Sequence, residues 1–210
     1  MSEEHRSERD LNRIEAFSDG VFAIAITLLV LEVKVPRHDE VEQIGLGQAL
    51  LNRYPSYFSY VLSFIMIGIY WANHHAFFHL FRRTNHVFNL LNVFFLMCIS
   101  FMPFPTAVLG DFVMDAHERD HAITLYAFGL LLPAVGWFFI WMYASQKNRL
   151  IDLRLEPSYV RYLTRQYILS VSFYLLSFLI SFWQPLASLA VAIGLTMLYL
   201  FPTKRPQYSD

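Results

Sequence analysis

The chain is cut into six apolar blocks, each close to the ~20 residues a helix needs to cross a bilayer, and its charged residues sit between them. This segregation limits the fold more than any other feature. Inside hydrocarbon, backbone amides and carbonyls must be satisfied by the segment's own helix or by a closed barrel. Blocks at about 12–35, 55–81, 87–109, 121–144, 165–183 and 185–201 therefore predict an all-α, polytopic membrane protein of six spans. Charged residues make up only 16% of the 210 residues, against ~25% in an ordinary soluble domain. Without repeats or low-complexity runs, residues 1–210 read as one membrane domain. The break at Gln184-Pro185 is the least marked, and leaves open one long block with a tight turn. The first block lacks a small-residue cleavage pattern and reads as a retained span. The single cysteine, Cys98, excludes a disulfide framework or a cysteine metal site within the chain.

Basic residues set the orientation. Twelve lie in the N-terminus (Arg6, Arg9, Arg13), the second connection (Arg82, Arg83), the fourth (Lys147, Arg149, Arg154, Arg161, Arg165) and the C-terminus (Lys204, Arg205). Only four, Lys34, Arg37, Arg53 and Arg119, lie in the alternate set. Six spans with both termini in the cytoplasm satisfy this bias, and an odd number of spans spoils it.

Three spans carry polar residues at one depth. Asp19 lies roughly 10 Å into the first span, and His74 and His75 lie about as deep in the antiparallel second. Trp71 and Asn73 are close by, and Asn89 and Asn92 open the third span. A carboxylate at that depth costs a few kcal/mol unless partnered, so a buried His–carboxylate cluster joining three spans is expected. Asp19, His74 and His75 also have metal-ligand chemistry. Adjacent histidines on a helix, however, point ~100° apart and rarely share one ion, so no metal beyond a permeating ion is expected.

The first span has a second face. Ile24, Leu28 and Leu31 follow i, i+4, i+7 spacing with Thr27 beside them. At ~100° per residue Asp19 is turned about 140° away from Ile24, whereas Arg13 falls within ~20° of it. Lipid contact for the stripe, and a bond from Thr27 back to the Ala23 carbonyl, are the plain alternatives to any role in a pathway.

The run Arg13-Ile14-Glu15-Ala16-Phe17-Ser18-Asp19 has the form R-x-x-x-F-S-D in a first span. It resembles the prokaryotic members of the transmembrane protein 175 family of potassium channels. The resemblance extends in architecture over the whole chain and includes the Trp71/His74/His75 region. It implies a homotetramer of six-span subunits with the first helix lining a central pore and no T-V-G-Y-G filter. It further implies apolar constrictions at Ile24, Leu28 and Leu31 and a threonine layer at Thr27. Arg13, Phe17, Ser18 and Asp19 form its structural motif, with Arg13, Ser18 and Asp19 packed behind the pore beside Trp71, the histidines and the asparagines Asn89 and Asn92, although helical phase puts Arg13 on the stripe's side. The role of Arg13 stays open.

A potassium-selective channel is thus expected, gated where apolar rings exclude water. Its implied partners are further copies of the chain, lipid and potassium ions, with neither nucleic acid nor a cofactor. The rival is a proton- or ion-coupled carrier using Asp19, His74 and His75, against which stands the lack of inverted repeats. An enzyme is disfavoured because no nucleophile–base pair accompanies the histidines. Glu32, near the outer end, reads as a solvated interfacial residue or as a cation concentrator.

Overall fold

The computed structural model describes residues 3–199, 204 and 206–208, the first seven of these as backbone only. The expected end of the sixth span at Phe201, Arg205, and the side chains of Arg6 and Arg9 lie outside the described residues. The described part is helical throughout: α1 (Glu3–Leu28), α2 (His38–Ile44), α3 (Leu46–Leu51), α4 (Tyr54–Phe78), α5 (His86–Phe101), α6 (Pro103–Phe112), α7 (Arg119–Ser145), α8 (Pro157–Ile180) and α9 (Pro185–Leu198). Five stretches, Asp10–Glu32, Leu46–Phe78, His86–Phe112, Arg119–Asn148 and Pro157–Ile180, are long and apolar enough to cross a membrane. The chain is a multi-pass membrane protein. The sixth apolar segment is helical too, but α9 has only 14 residues, or ~21 Å against a hydrocarbon core of ~30 Å.

Helix boundaries depart from the apolar blocks where capping or proline chemistry decides them. The first helix starts in the polar leader at Glu3, well before residue 12, because that leader lacks Gly and Pro. The fifth starts at Pro157 rather than near 165, with proline in its first turn, where its missing N–H costs nothing. The third block is two helices. Pro103 and Pro105 cannot donate to the carbonyls four residues back, so the chain breaks at Met102 and restarts as α6. The fifth and sixth blocks are separate helices, divided by a turn ending at Gln184.

Helix α7 is the hub, packing on α5, α6, α8 and α9, while α1 rests mainly on α4 and α5 at one flank. Glycine permits the closest approaches. A Cβ on Gly136 of α7 would lie 3.2 Å from the Phe95 Cα of α5, and one on Gly129 would lie 2.6 Å from the Pro105 Cγ of α6. Small residues at such crossings let helices meet in lipid, where burial between helices gains nothing over lipid contact.

The loops at one end of the bundle are pinned together. Phe81 and Ile151 form an antiparallel bridge, with Asp152 N donating to Leu80 O and Arg82 N donating to Leu150 O, both at 2.9 Å. Buried Asp152 accepts from Arg154 Nη2 and from Arg82 Nε, each at 2.8 Å. These hydrogen bonds, led by those from Arg154, hold its carboxyl well below the usual carboxylate range. The tail returns to the same end, where Tyr159 OH donates to Lys204 O at 3.0 Å and Glu156 N to Gln207 O at 2.9 Å. The second and fourth connections, the start of α8 and the described tail therefore share one end, as the basic-residue bias requires.

Two outcomes follow. Gly136→Val should destabilise the protein in detergent by ~1–3 kcal/mol through overpacking against Phe95, whereas Gly194→Ala, with open space around it, should not; thermal unfolding of both variants checks this. Asp152→Asn should speed amide exchange at residues 80–83. Because its folded carboxyl titrates low, the wild-type clamp is complete above about pH 4 and weakens only as pH falls through the folded value below that, so exchange at those amides should be flat from pH 7 to 4 once corrected for intrinsic rates.

Candidate functional site

Helix α1 presents two chemically distinct faces. Ser18, Phe22 and Leu29 are buried against the bundle. On the other side Arg13, Ala16, Phe17, Gly20, Ala23, Ile24, Thr27, Leu28 and Leu31 are exposed, with Ile24 at 60% and Leu31 at 70%. Arg13 lies on the Ile24 side, as its helical phase indicates. The stripe survives a change of helix type. Leu29–Glu32 is a 3-10 turn, and Leu28, its N-cap, and Leu31 both stay exposed across it. Thr27 Oγ1 donates to Ala23 O at 2.8 Å and lies 3.1 Å from Ile24 O. With the proton committed to the backbone, the oxygen lone pairs are what Thr27 presents outward.

The buried face is held by a one-way hydrogen-bond chain. Ser18 Oγ donates to Ile14 O at 2.8 Å and accepts from Asn92 Nδ2 at 2.9 Å. Asn92 Oδ1 then faces His74 Nε2 at 3.0 Å. The amide orientation that lets Asn92 donate to Ser18 makes Oδ1 the acceptor, so His74 carries its proton on Nε2. Ser18, Asn92 and His74 are all buried. The His74 ring stacks on Phe95 (centroids 5.6 Å, interplanar 9°) and Phe78 (4.3 Å, 30°), with Phe22 edge-on at 5.4 Å. Its Nδ1 has no hydrogen-bond partner, as an uncharged ring in an aromatic box can tolerate.

The expected cluster is therefore built differently. Asp19 pairs with neither histidine: it is half-buried and accepts from Trp71 Nε1 at 2.9 Å. His75 turns to the other side of α4, with Nδ1 2.9 Å from Glu15 Oε1 and Nε2 3.3 Å from His79 Nε2. Adjacent histidines diverge on a helix, so only one of them can face the α5 amide. Asn89 is not in the cluster, since its Oδ1 accepts from Thr84 Oγ1 at 2.6 Å beside the N-cap of α5. Asn73 donates to Ile69 O at 2.9 Å within α4. A metal set of Asp19, His74 and His75 is excluded for the same reason, because the three groups face three different partners. Sequence reasoning missed Glu15 and His79, although Glu15 stands inside the first-span motif and His75 and His79 have the four-residue spacing of one helix face. It also missed the aromatic box, because phenylalanine is too common here to stand out.

Fold and site together define a multi-pass, all-helical membrane protein with one two-faced helix at its flank. A sequence profile described as "Endosomal/lysosomal potassium channel TMEM175" matches residues 13–103. The chain is 41% identical over 192 residues to a potassium channel of Chamaesiphon minutus, covering 91% of this chain and 94% of that one. It is 37% identical over 187 residues to a potassium channel of Streptomyces collinus, covering 89% of each. The crystal structure of a lysosomal potassium-selective channel TMEM175 homolog from Chamaesiphon minutus matches with a TM-score of 0.77 at 39% identity, covering 91% of this chain and 97% of that chain. This chain belongs to the TMEM175 family, a family of ion channels and not of enzymes.

The network ranks its members. Asn92→Leu strands both Ser18 and His74 and should cost ~1–3 kcal/mol per unpaired group. His74→Ala should be similarly damaging, whereas His75→Ala, at a half-exposed position, should change stability by under ~1 kcal/mol. Chemical unfolding of the three variants in one detergent gives the order.

Proposed function

We propose that four copies of this chain assemble around the exposed face of α1 and conduct potassium ions along the common axis. The observation that carries the reading is the composition of that face. Ala16, Gly20, Ala23 and Thr27 alternate with Ile24, Leu28 and Leu31, a mixture that allows close approach of helices. The bare face of α8 offers Ile168, Leu169, Phe173 and Leu176 instead, bulky groups suited to lipid. Family membership, and relatives of matching length that are potassium channels, support the same reading.

In this assembly Ile24, Leu28 and Leu31 form successive apolar rings, and the narrow Ile24 ring closes the path by excluding water. Apolar rings offer a cation no ligand. Thr27 is the side-chain oxygen of the stripe, and its lone pairs face outward, so it is the residue that sorts potassium from sodium. Ser18 and Asp19, with Trp71, His74 and Asn92, hold the helix from behind, and Arg13 stands at the inner mouth. The basic-residue bias supports cytoplasmic termini, and the bacterial potassium channels that the chain resembles support the plasma membrane of a prokaryote. A carrier built on Asp19, His74 and His75 lacks a geometric basis, because those groups form no connected relay among the described residues.

Planar-bilayer recording of purified protein under asymmetric KCl and NaCl tests the reading. Ile24→Asn should raise basal conductance severalfold by wetting the ring. Thr27→Ala should keep conducting and lose discrimination between potassium and sodium, and Thr27→Val should do the same if the hydroxyl is the ligand. Native mass measurement in mild detergent should return four chains. A monomer with slow, saturable flux would place the chain among carriers instead.

A further inference from the structure

Glu15, His75 and His79 lie on the α1–α4 seam, outside both the exposed stripe and the Ser18–Asn92–His74 chain. We infer that these three side chains form a binding site for a divalent transition-metal ion of the zinc class, clamping α1 to α4. His75 is in the last turn of α4, and His79, its C-cap, keeps helical φ/ψ of −62° and −14°, so the two rings emerge on one face. Their Nε2 atoms are 3.3 Å apart. Two nitrogens bound to one tetrahedral zinc at ~2.0–2.1 Å are separated by about 3.3–3.4 Å. Without a cation, that contact is satisfied only when one ring turns a proton toward the other.

Glu15 supplies the second, independent observation. Its Oε1 is buried and takes no aligned hydrogen bond, although His75 Nδ1 is 2.9 Å away. A carboxylate oxygen beside two converging imidazoles adds a third donor atom for a cation. One ligand atom from each residue lies within 4.8 Å of the others. A shift of the Glu15 carboxylate would make it a direct ligand; where it stands, its charge lies 2.9 Å behind His75 Nδ1. His75 and His79 are exposed, so the ion has an entry path and room for water as a fourth ligand. Two imidazoles and a carboxylate select zinc, copper or nickel over magnesium and calcium, which prefer all-oxygen shells.

The position gives the site a consequence. On antiparallel α1 and α4, Glu15 faces His75, and one turn further Asp19 faces Trp71. An ion at the first rung adds a second fixed contact to the helix that lines the proposed pore, and so restrains its movement against α4. This consequence rests on the channel reading; the binding site does not.

The test uses full-length protein carrying a histidine-free tag, stripped with chelator and held in detergent. Titration calorimetry with zinc chloride should give one site per chain. His79→Gln, a surface change that leaves the Glu15–His75 contact in place, should weaken binding at least tenfold, and so should Glu15→Gln. His121→Gln, in the loop-proximal start of α7, should not, and magnesium chloride should give no comparable heat. Zinc should also raise the melting temperature of the wild type by several degrees and leave His79→Gln unmoved. Binding of equal strength in a correctly folded His75→Gln/His79→Gln variant, or no saturable binding in the wild type below 1 mM, would overturn the site. In bilayers, zinc on the side bearing these residues should change wild-type current severalfold and His79→Gln current little. Absence of any current, with binding intact, would count against the channel reading and not against the site.

Discussion

The position of α1 depends on the hydrogen-bond chain from His74 through Asn92 and Ser18 to the Ile14 carbonyl. Each link spends the donor of one group on the acceptor of the next, and the sequence is spread over α4, α5 and α1. In hydrocarbon the apolar faces of helices gain little from each other that lipid does not already offer. A polar chain across three helices is different, since displacement of α1 leaves the Asn92 Nδ2 donor unpaired where no water can replace the partner. That makes the seam directional. Apolar contacts tolerate slippage by a residue, whereas this chain holds in one register.

The aromatic box around His74 makes the chain stronger. Phe22, Phe78 and Phe95 contact the ring from three helices, and Trp137 reaches Phe95 edge-on at 4.9 Å. The box excludes water from the His74–Asn92 bond and raises its electrostatic strength. It also carries the seam into α7, because Gly136 of α7 lets the backbone come close to Phe95 of α5. The hub helix and the flank helix are thus coupled through one phenylalanine.

Much of this was legible in the sequence, for physical reasons that also set the limits. Apolar length fixed the kind of elements, because helices satisfy their own backbone in lipid, but not their number, since the third block is two helices and α2 and α3 lie outside the blocks. Helical phase placed Ile24, Leu28, Leu31 and Arg13 on one face and turned Asp19 away from it, and the structure leaves the first four exposed and Asp19 half-buried. Phase says nothing of partners. Depth matching suggested that Asp19 meets a histidine, but Trp71 on the facing turn holds a donor at the right distance and a neutral indole costs less to bury than a charged imidazole. Asn89 shares the depth of Asn92 in the sequence, yet it is taken by Thr84 in the preceding turn, a local bond that costs less order than a contact across helices. Pro103 and Pro105 break what apolar length alone reads as one third span, and Pro185 starts the short α9.

The two faces of α1 together limit how a pore built on it can open. Ser18, Phe22 and Leu29 all lie buried on the seam, so the helix is seated along its length and not at a single hinge. Sliding α1 over α4 would break the polar chain, at ~1–3 kcal/mol for each group left unpaired, and a four-fold assembly would incur that cost four times. Tilting α1 as one body with α4 and α5 breaks none of it. From Ser18 as pivot, Ile24 lies ~9 Å along the axis and Leu31 ~19 Å, so a shared tilt displaces the outer ring about twice as far as the inner one. In the proposed assembly Ile24, nearer the pivot, would therefore move less than Leu28 and Leu31 in such a tilt.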